Sequence, residues 1–253
     1  MRRAGLLVWQ VLQKLREMAA PGVTTLDLET AAEKMIADAG AKPAFKGYYV
    51  PAAGEAYKFV LCTSVNSEIV HGMPNAKRVL QPGDIVSIDT GVKLDGYYGD
   101  SAVTVPIGEI SEQTQKLLDV TRQSLELAID QVRAGNRLFD VCGTVEQHVL
   151  ANGFSVVREY VGHGIGTKLH EEPQVPNYGA PHHGPRLMAG MTIAIEPMIN
   201  IGRPEVRTQP DKWTVVTMDG SLSAHFEHTV LITENGARIL TVPTPVAVGQ
   251  VSP

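Results

Sequence analysis

Residues 84–101 read DIVSIDTGVKLDGYYGDS, and this stretch decides the fold. Its centre is Asp95-Gly96, with Ile, Val, Thr and Tyr on both sides, a strong short-range signal for a tight β-hairpin. A two-residue loop at that point pairs Gly91 with Asp100. The same register puts Asp89 on the first strand, two residues further from the turn.

Side chains alternate between the two faces of a strand, so Asp89 and Asp100 lie on the same face. As diagonal neighbours they are roughly 7–8 Å apart at the backbone, a separation that a metal pair ~3.5–4 Å apart can bridge. Two like charges at this spacing repel unless a cation or a shared proton relieves them. The hairpin alone leaves two interpretations open. It is either a metal site or a pair of ordinary acids at a sheet edge, since Asp is common in such turns.

Composition limits the class of protein. The chain has 253 residues and a net charge of −5, which fits one α/β domain or two small ones. No run of Lys or Arg is present, so we expect no direct recognition of nucleic acid. The two cysteines, Cys62 and Cys142, suggest buried thiols in a reducing cytoplasm. No segment approaches the ~20 apolar residues of a membrane span, and we expect no targeting segment.

The periodicity predicts four helices and several strands. Apolar residues between Val8 and Met18 mark a first helix, and Thr24 with Asp27 resembles a capping box that opens a second. Further helices are predicted from Ser111 to about Ala134 and from about Phe139 to Ala151. The order of two helices, strands, two helices and strands predicts one α+β domain over 1–253. Two pseudo-symmetric halves, about 1–105 and 106–253, hint at a duplication.

The second half is predicted to hold long strands. They cover Phe154–Arg158, Thr192–Asn200, Trp213–Met218 and Ser223–Thr233, with a second hairpin turn at Asp219-Gly220. Residues 173–190 hold many Pro, Gly and His, which predicts an exposed loop. His225 and His228 are expected to point away from the face that carries Glu227.

Three more residues are suited to bind a metal. His163 stands between two glycines, which let the backbone turn sharply and expose the imidazole. Glu196 and Glu227 interrupt apolar strands, where acids are rare unless they are paired or bind a metal. With Asp89 and Asp100 they make an oxygen-rich site that favours Mn(II), Fe(II) or Co(II). No HExxH, CxxC pair, P-loop, GxGxxG or GxSxG occurs.

These five residues resemble the dinuclear metal site of the methionine aminopeptidase and prolidase superfamily. Seven segments in the same order are closest to the type I methionine aminopeptidases, from about Arg3 to Leu240. They are HGMP (71–74), DIVSID (84–89), GDS (99–101), VGHGIG (161–166), HEEPQV (170–175), GMTIAIEP (190–197) and SLSAHFEHT (221–229).

The resemblance implies a pita-bread fold, with a central antiparallel sheet covered by helices. It implies two divalent ions held by Asp89, Asp100, His163, Glu196 and Glu227. Glu196 would also shuttle protons, His170 would contact the scissile carbonyl, and His71 would contact the substrate near the scissile amide. The methionine side chain would lie among Tyr57, Cys62, Leu169 and Trp213. By the same resemblance, Leu169 stands where an aromatic residue is usual, which would widen the pocket, and Phe226 replaces a more familiar Tyr beside Glu227.

The implied function is removal of the N-terminal methionine from nascent chains whose second residue is small. The partners would be nascent N-termini and the ribosome near its exit tunnel, and the enzyme would act as a cytoplasmic monomer. One alternative is a Xaa-Pro aminopeptidase or prolidase, but only about 80 residues precede Asp89. A type II enzyme is disfavoured by the short spacing of Glu196 and Glu227. A non-catalytic binding protein on this fold would be expected to have lost ligands.

Overall fold

The computed structural model describes residues 1–243. This part of the chain forms four helices, all in the order that the sequence predicts. They are α1 (Arg2–Met18), α2 (Thr25–Asp38), α3 (Glu112–Asp130) and α4 (Leu138–Ala151).

The strands are short apart from two, and every strand pair is antiparallel. They are β1 (Lys42–Pro43), β2 (Tyr49–Val50), β3 (Glu55–Ala56), β4 (Leu61–Val65), β5 (Glu68–Val70), β6 (Ile85–Leu94), β7 (Tyr97–Pro106), β8 (Ser155–Val156), β9 (Gly162–Gly164), β10 (Glu171–Val175), β11 (Thr192–Ile195), β12 (Met198–Asn200), β13 (Val206–Thr208), β14 (Val215–Thr217), β15 (Ser223–His225), β16 (His228–Thr233) and β17 (Gly236–Ile239).

The helix ends follow local chemistry. The Thr24 side chain accepts from the Asp27 N–H, and the Asp27 carboxylate accepts from the Thr24 N–H, so the predicted capping box opens α2. Ser111 caps α3 by accepting from the Thr114 N–H. The predicted end of α3 at Ala134 is wrong, because the helix ends at Asp130.

The hairpin of β6 and β7 is confirmed. Asp95 and Gly96 both have positive φ, 51° and 86°, as a type I′ turn requires. Gly91 lies opposite Asp100 and Asp89 opposite Ala102, the register expected from the sequence. β6 also pairs with β4 and β1, so the hairpin lies within a four-stranded sheet.

Two hydrophobic cores lie beneath the helices. One joins α1 and α2 to the β6–β7 hairpin and includes Val8, Leu15, Leu28 and Ile88. The other joins α3 and α4 to the strands of the second half. The expected single domain with two pseudo-symmetric halves stays a prediction.

The strands of the second half are more broken than predicted. Thr192–Asn200 divides at Glu196-Pro197 into β11 and β12, which belong to different sheets. Ser223–Thr233 divides in the same way at Phe226-Glu227. The predicted hairpin at Asp219-Gly220 is wrong, because β14 pairs with β13 and β5 while β15 pairs with β12. Over residues 1–243 the strands therefore form a five-stranded sheet, two three-stranded sheets and the two-stranded β2–β3 hairpin beside the four-stranded sheet.

The segment predicted as an exposed loop, 173–190, is largely exposed over 180–190 and less so before that. Its first residues belong to β10, and Asn177 and Leu187 are buried. His182 and His183 are exposed, as expected. Over residues 1–243, none of the helices combines the length and the hydropathy that a membrane crossing needs.

Candidate metal centre

The carboxylates of the central hairpin lie at the floor of a cavity. Asp89 of β6 and Asp100 of β7 both line it, as their shared face predicts. The backbone of Asp100 is tied to β16, because its N–H donates to the Thr229 hydroxyl, which in turn donates to the Asp100 carbonyl oxygen. This pair of bonds joins the hairpin of the first half to a strand of the second.

His163 enters the same site from β9, between two neighbouring strands. A Cβ at Gly162 would lie 2.3 Å from the Ala194 carbonyl oxygen, and one at Gly164 would lie 2.2 Å from that of Glu172. The glycines therefore permit close approach of β9 to β11 and β10. The expected sharp turn and exposed imidazole are wrong, since His163 is buried within the sheet. Its Nδ1 lies 2.8 Å from the Gly164 carbonyl oxygen, which leaves Nε2 free to bind a metal.

Glu196 and Glu227 stand at the two breaks in the strands. The Asn177 side chain donates to the Glu196 carbonyl oxygen at 3.0 Å. The Glu227 backbone is held by β7, because its N–H donates to the Ala102 carbonyl and its carbonyl accepts from the Ser101 hydroxyl. These bonds replace the ladder contacts that a continuous strand would make.

The ligand atoms of three residues lie within 4.8 Å of one another: Asp100, His163 and Glu227. Glu196 extends this group, with its Oε1 3.7 Å from His163 Nε2. Asp89 lines the same cavity. The structure therefore brings all five sequence-predicted metal residues to one place.

The two predicted catalytic histidines border this group. His170 presents its ring to His163, with centroids 4.3 Å apart and planes at 77°. His71 has a left-handed backbone, φ 59°, and its ring contacts the edges of Tyr160 and Trp213. Both histidines line the cavity.

The cavity has a volume of about 210 Å³ and an apolar side. Tyr57, Cys62 and Trp213 form one buried cluster on this side, with the Tyr57 and Trp213 rings edge to face at 5.0 Å. Leu169 is buried against Ala44 in a neighbouring cluster and also lines the cavity. All the residues predicted for side-chain binding are therefore present at the cavity wall.

Comparison with known proteins agrees with this geometry. The profile of metallopeptidase family M24 matches residues 1–234. The chain belongs to metallopeptidase family M24. It is 50% identical to methionine aminopeptidase 1 of Bacillus subtilis, over 95% of this chain and 94% of that protein. A crystal structure of methionine aminopeptidase from Thermotoga maritima is similar with a TM-score of 0.92 and 49% identity, over 95% and 94% of the two chains.

A more distant relative shares only the fold. Xaa-Pro dipeptidase from Bacillus anthracis superposes with a TM-score of 0.75 at 18% identity, and this chain covers 59% of it. The expected α+β pita-bread fold and the resemblance to type I methionine aminopeptidases are confirmed. As a member of this family the protein is a metal-dependent peptidase, and the cavity contains a cluster of donor atoms that can bind a divalent metal.

The electrostatics of this M24 site call for a cation. Burial raises the pKa of all four carboxyl groups, that of Asp100 to about 7, and the charge of Asp100 adds to the shift for Asp89, Glu196 and Glu227. Within residues 1–243, one buried oxygen on each of Asp89, Asp100 and Glu227 has no hydrogen-bond partner. Unpaired buried oxygens beside one another fit a hard divalent ion. Burial and the adjacent His170 lower the pKa of His163 to about 4, so the imidazole is neutral, as a metal ligand must be.

One residue at the site was placed wrongly by the sequence. His225 is buried, and its Nε2 lies 3.7 Å from Glu196 Oε2, where it was expected to point away. In the uninterrupted strand that the sequence predicts, its two-residue spacing from Glu227 would put both side chains on one face, and this is the signal that the sequence offered. His228 does point elsewhere, with its Nδ1 2.8 Å from the Thr241 hydroxyl.

Proposed function

We propose that this protein removes the N-terminal methionine from polypeptides whose second residue is small. One observation carries the proposal. The buried donor atoms of Asp100, His163 and Glu227 lie within 4.8 Å of one another at the floor of a cavity with an apolar wall. Identity of about 50% to methionine aminopeptidases over almost the whole chain supports the same activity.

We propose that Asp89, Asp100, His163, Glu196 and Glu227 hold two divalent ions, drawn from Co(II), Mn(II) and Fe(II). Four carboxylates and one imidazole form a hard donor set, which favours these ions over the thiolate-rich structural zinc sites. When bound, the ions polarise the scissile carbonyl and lower the pKa of a water molecule.

The chain's own residues then move the proton and stabilise the developing charge. Glu196 has one oxygen toward His163 and the other toward His225. We assign Glu196 the role of general base, which takes a proton from the attacking water and delivers it to the leaving amine. His170 lies against His163 and donates a hydrogen bond to the carbonyl oxygen as negative charge develops there.

The cavity supports cleavage at the chain end. Its volume of about 210 Å³ is below the roughly 300–1,000 Å³ of drug-sized ligand sites, so it takes one side chain and its amide. Tyr57, Cys62, Leu169 and Trp213 surround that side chain with apolar and polarisable atoms. His71, with Tyr160 edge-on at 5.4 Å, narrows the space next to the scissile amide, which favours a small second residue.

We further propose that the enzyme acts as a cytoplasmic monomer on nascent N-termini near the ribosomal exit tunnel. All five proposed ligands come from one chain, so the site needs no partner subunit. Cys62 and Cys142 are buried free thiols, which fit a reducing compartment. The net charge of −5 does not favour direct nucleic-acid binding.

The test is peptide hydrolysis by chelator-stripped enzyme, with Mn(II), Co(II) or Fe(II) added back singly. The substrates are Met-Ala-Ser, its N-acetylated form and Ala-Pro-Ala. We expect metal-dependent release of methionine from the first peptide alone, because the free amine is part of the recognised group. Cleavage of Ala-Pro-Ala would assign the protein to the proline-specific branch, and cleavage of the acetylated peptide would contradict the exopeptidase assignment.

A further inference from the structure

Tyr48 makes a direct contact with one of the proposed catalytic residues. Its hydroxyl oxygen lies 2.6 Å from His170 Nδ1, and the two rings meet edge to face with centroids 5.1 Å apart. Tyr48 directly precedes the small β2–β3 hairpin and lines the cavity. This hydrogen bond was not anticipated from the sequence.

The backbone holds Tyr48 in place through Tyr57. The Tyr57 N–H donates to the Tyr48 carbonyl at 2.9 Å, and the Gly47 N–H donates to the Tyr57 carbonyl at 2.8 Å. The Tyr57 hydroxyl in turn donates to the carbonyl oxygens of Leu61 and Gly72. Tyr48 is thus fixed to the buried wall of the cavity although its side chain is partly exposed.

The direction of the Tyr48–His170 hydrogen bond decides the tautomer of the imidazole. A neutral imidazole has one N–H and one acceptor nitrogen, and a partner on one nitrogen determines which nitrogen carries the proton. A phenol is a better donor than acceptor, so the Tyr48 O–H donates to Nδ1. Burial and the neighbouring Tyr98 raise the pKa of Tyr48, which keeps that proton on the phenol. Nε2 of His170 then carries the imidazole hydrogen.

We propose that Tyr48 is a positioning residue that fixes the Nε2–H tautomer of His170 and so supplies a donor for the scissile carbonyl. The inference rests on the proposed function, in which His170 donates to the developing oxyanion. Without the phenol the imidazole distributes between its two tautomers, and the Nδ1–H form presents a lone pair to an oxygen that needs a donor. The loss therefore affects the chemical step more than substrate binding.

The test compares Tyr48→Phe with Tyr49→Phe. Tyr49 is the adjacent residue of the same segment and is 60% exposed, so it is a matched control for losing one phenol. Proteins labelled with ¹⁵N-histidine and loaded with diamagnetic Zn(II) are recorded by imidazole ¹H–¹⁵N correlation, and a His170→Gln sample assigns the His170 signals. Initial rates on Met-Ala-Ser, with the metal giving the highest turnover, provide kcat and KM.

We expect a pure Nε2–H pattern for His170 in the wild type and in Tyr49→Phe. Tyr48→Phe should give mixed tautomers and a kcat lower by about two- to tenfold, because an even mixture halves the competent fraction and the lost hydrogen bond also loosens the imidazole; KM should stay within about twofold. An Nδ1–H pattern in the wild type would overturn the proposal. So would an unchanged tautomer in Tyr48→Phe, or a loss confined to KM. If no protein cleaves the peptide, the proposed function fails while the spectra still decide the role of Tyr48.

Discussion

Replacing Asp100 by Asn should stabilise the metal-free protein and at the same time weaken its metal binding. The Asp100 carboxylate lies within 4.8 Å of the donor atoms of Glu227 and His163. Two unit charges at that distance repel by about 3 kcal/mol when the effective dielectric constant is about 20. The amide keeps the shape of the side chain and removes this repulsion. The metal-free variant should therefore be more stable than the metal-free wild type by about 1–3 kcal/mol, since shared protons already relieve part of the repulsion.

The assay is thermal unfolding at pH 8, with chelator and then with Mn(II). One kcal/mol corresponds to about 2–4 °C in a chain of this size, so metal-free Asp100→Asn should melt roughly 2–12 °C above metal-free wild type. Mn(II) at about 100 times its Kd stabilises the wild type by about 2.7 kcal/mol, and the variant should gain far less. Added metal should therefore reduce the difference between the two melting temperatures or reverse its sign.

Asp38→Asn is the matched control, because it removes one negative charge from an exposed pair with Lys34. It should change the melting temperature of both forms by less than about 2 °C, as surface ion pairs contribute little. A metal-free Asp100→Asn less stable than the wild type would refute the reasoning. It would mean that the carboxyl group is satisfied within the protein and does not need a cation.

Two further predictions concern the strands and the acid stability. Gly164→Ala should destabilise the protein by about 3 kcal/mol, because the new Cβ would lie 2.2 Å from the Glu172 carbonyl oxygen. Calorimetry should also show Mn(II) binding weakened at least tenfold. The control is Gly22→Ala, in an open turn, which should leave the Mn(II) affinity unchanged. Hydrogen bonds from the Arg203 N–H and from Ser221 lower the pKa of Asp219 to about 2, so its stabilisation is present above about pH 4 and is lost as the pH falls toward 2. Asp219→Asn should thus lower the free energy of unfolding, measured in urea, by about 1 kcal/mol at pH 7, and the difference between variant and wild type should shrink toward pH 3. A difference independent of pH would contradict a stabilising role for the Asp219 carboxylate.

The part of the fold that sequence predicts best is the part governed by local chemistry. The Asp95-Gly96 turn determines the register of β6 and β7 from residues adjacent in sequence, and the capping box does the same for the start of α2. The Asp219-Gly220 turn carries the same dipeptide signal and is not a hairpin. The strands on either side of it pair with strands far away in sequence, and no local signal encodes those partners.

The candidate site depends on contacts between distant segments, which composition and periodicity do not reveal. The four acids and the histidine were singled out by the hairpin register, by the glycines beside His163 and by charges in apolar strands, and the resemblance of whole segments to known enzymes then assigned them to one site. Tyr48 was missed because its contact with His170 crosses 122 residues. His225 was placed on the wrong side, although strand alternation relative to Glu227 indicated the correct one.

Glu196 and Glu227 both lie where a strand was expected to continue and does not, and at each break other segments bond to the backbone groups that leave the ladder. In a regular strand, the backbone around each glutamate would stay hydrogen-bonded to its neighbouring strands, at a fixed distance from the central hairpin. At Glu227 the chain leaves that ladder and bonds to Ser101 and Ala102 of β7, which draws its carboxylate beside Asp100. At Glu196 the following Pro197 cannot donate to a ladder, and Asn177 takes up the carbonyl that the break leaves unpaired. A charged residue inside an apolar strand pattern therefore predicts two things together in this fold, a metal-facing carboxylate and an interruption of the strand that carries it.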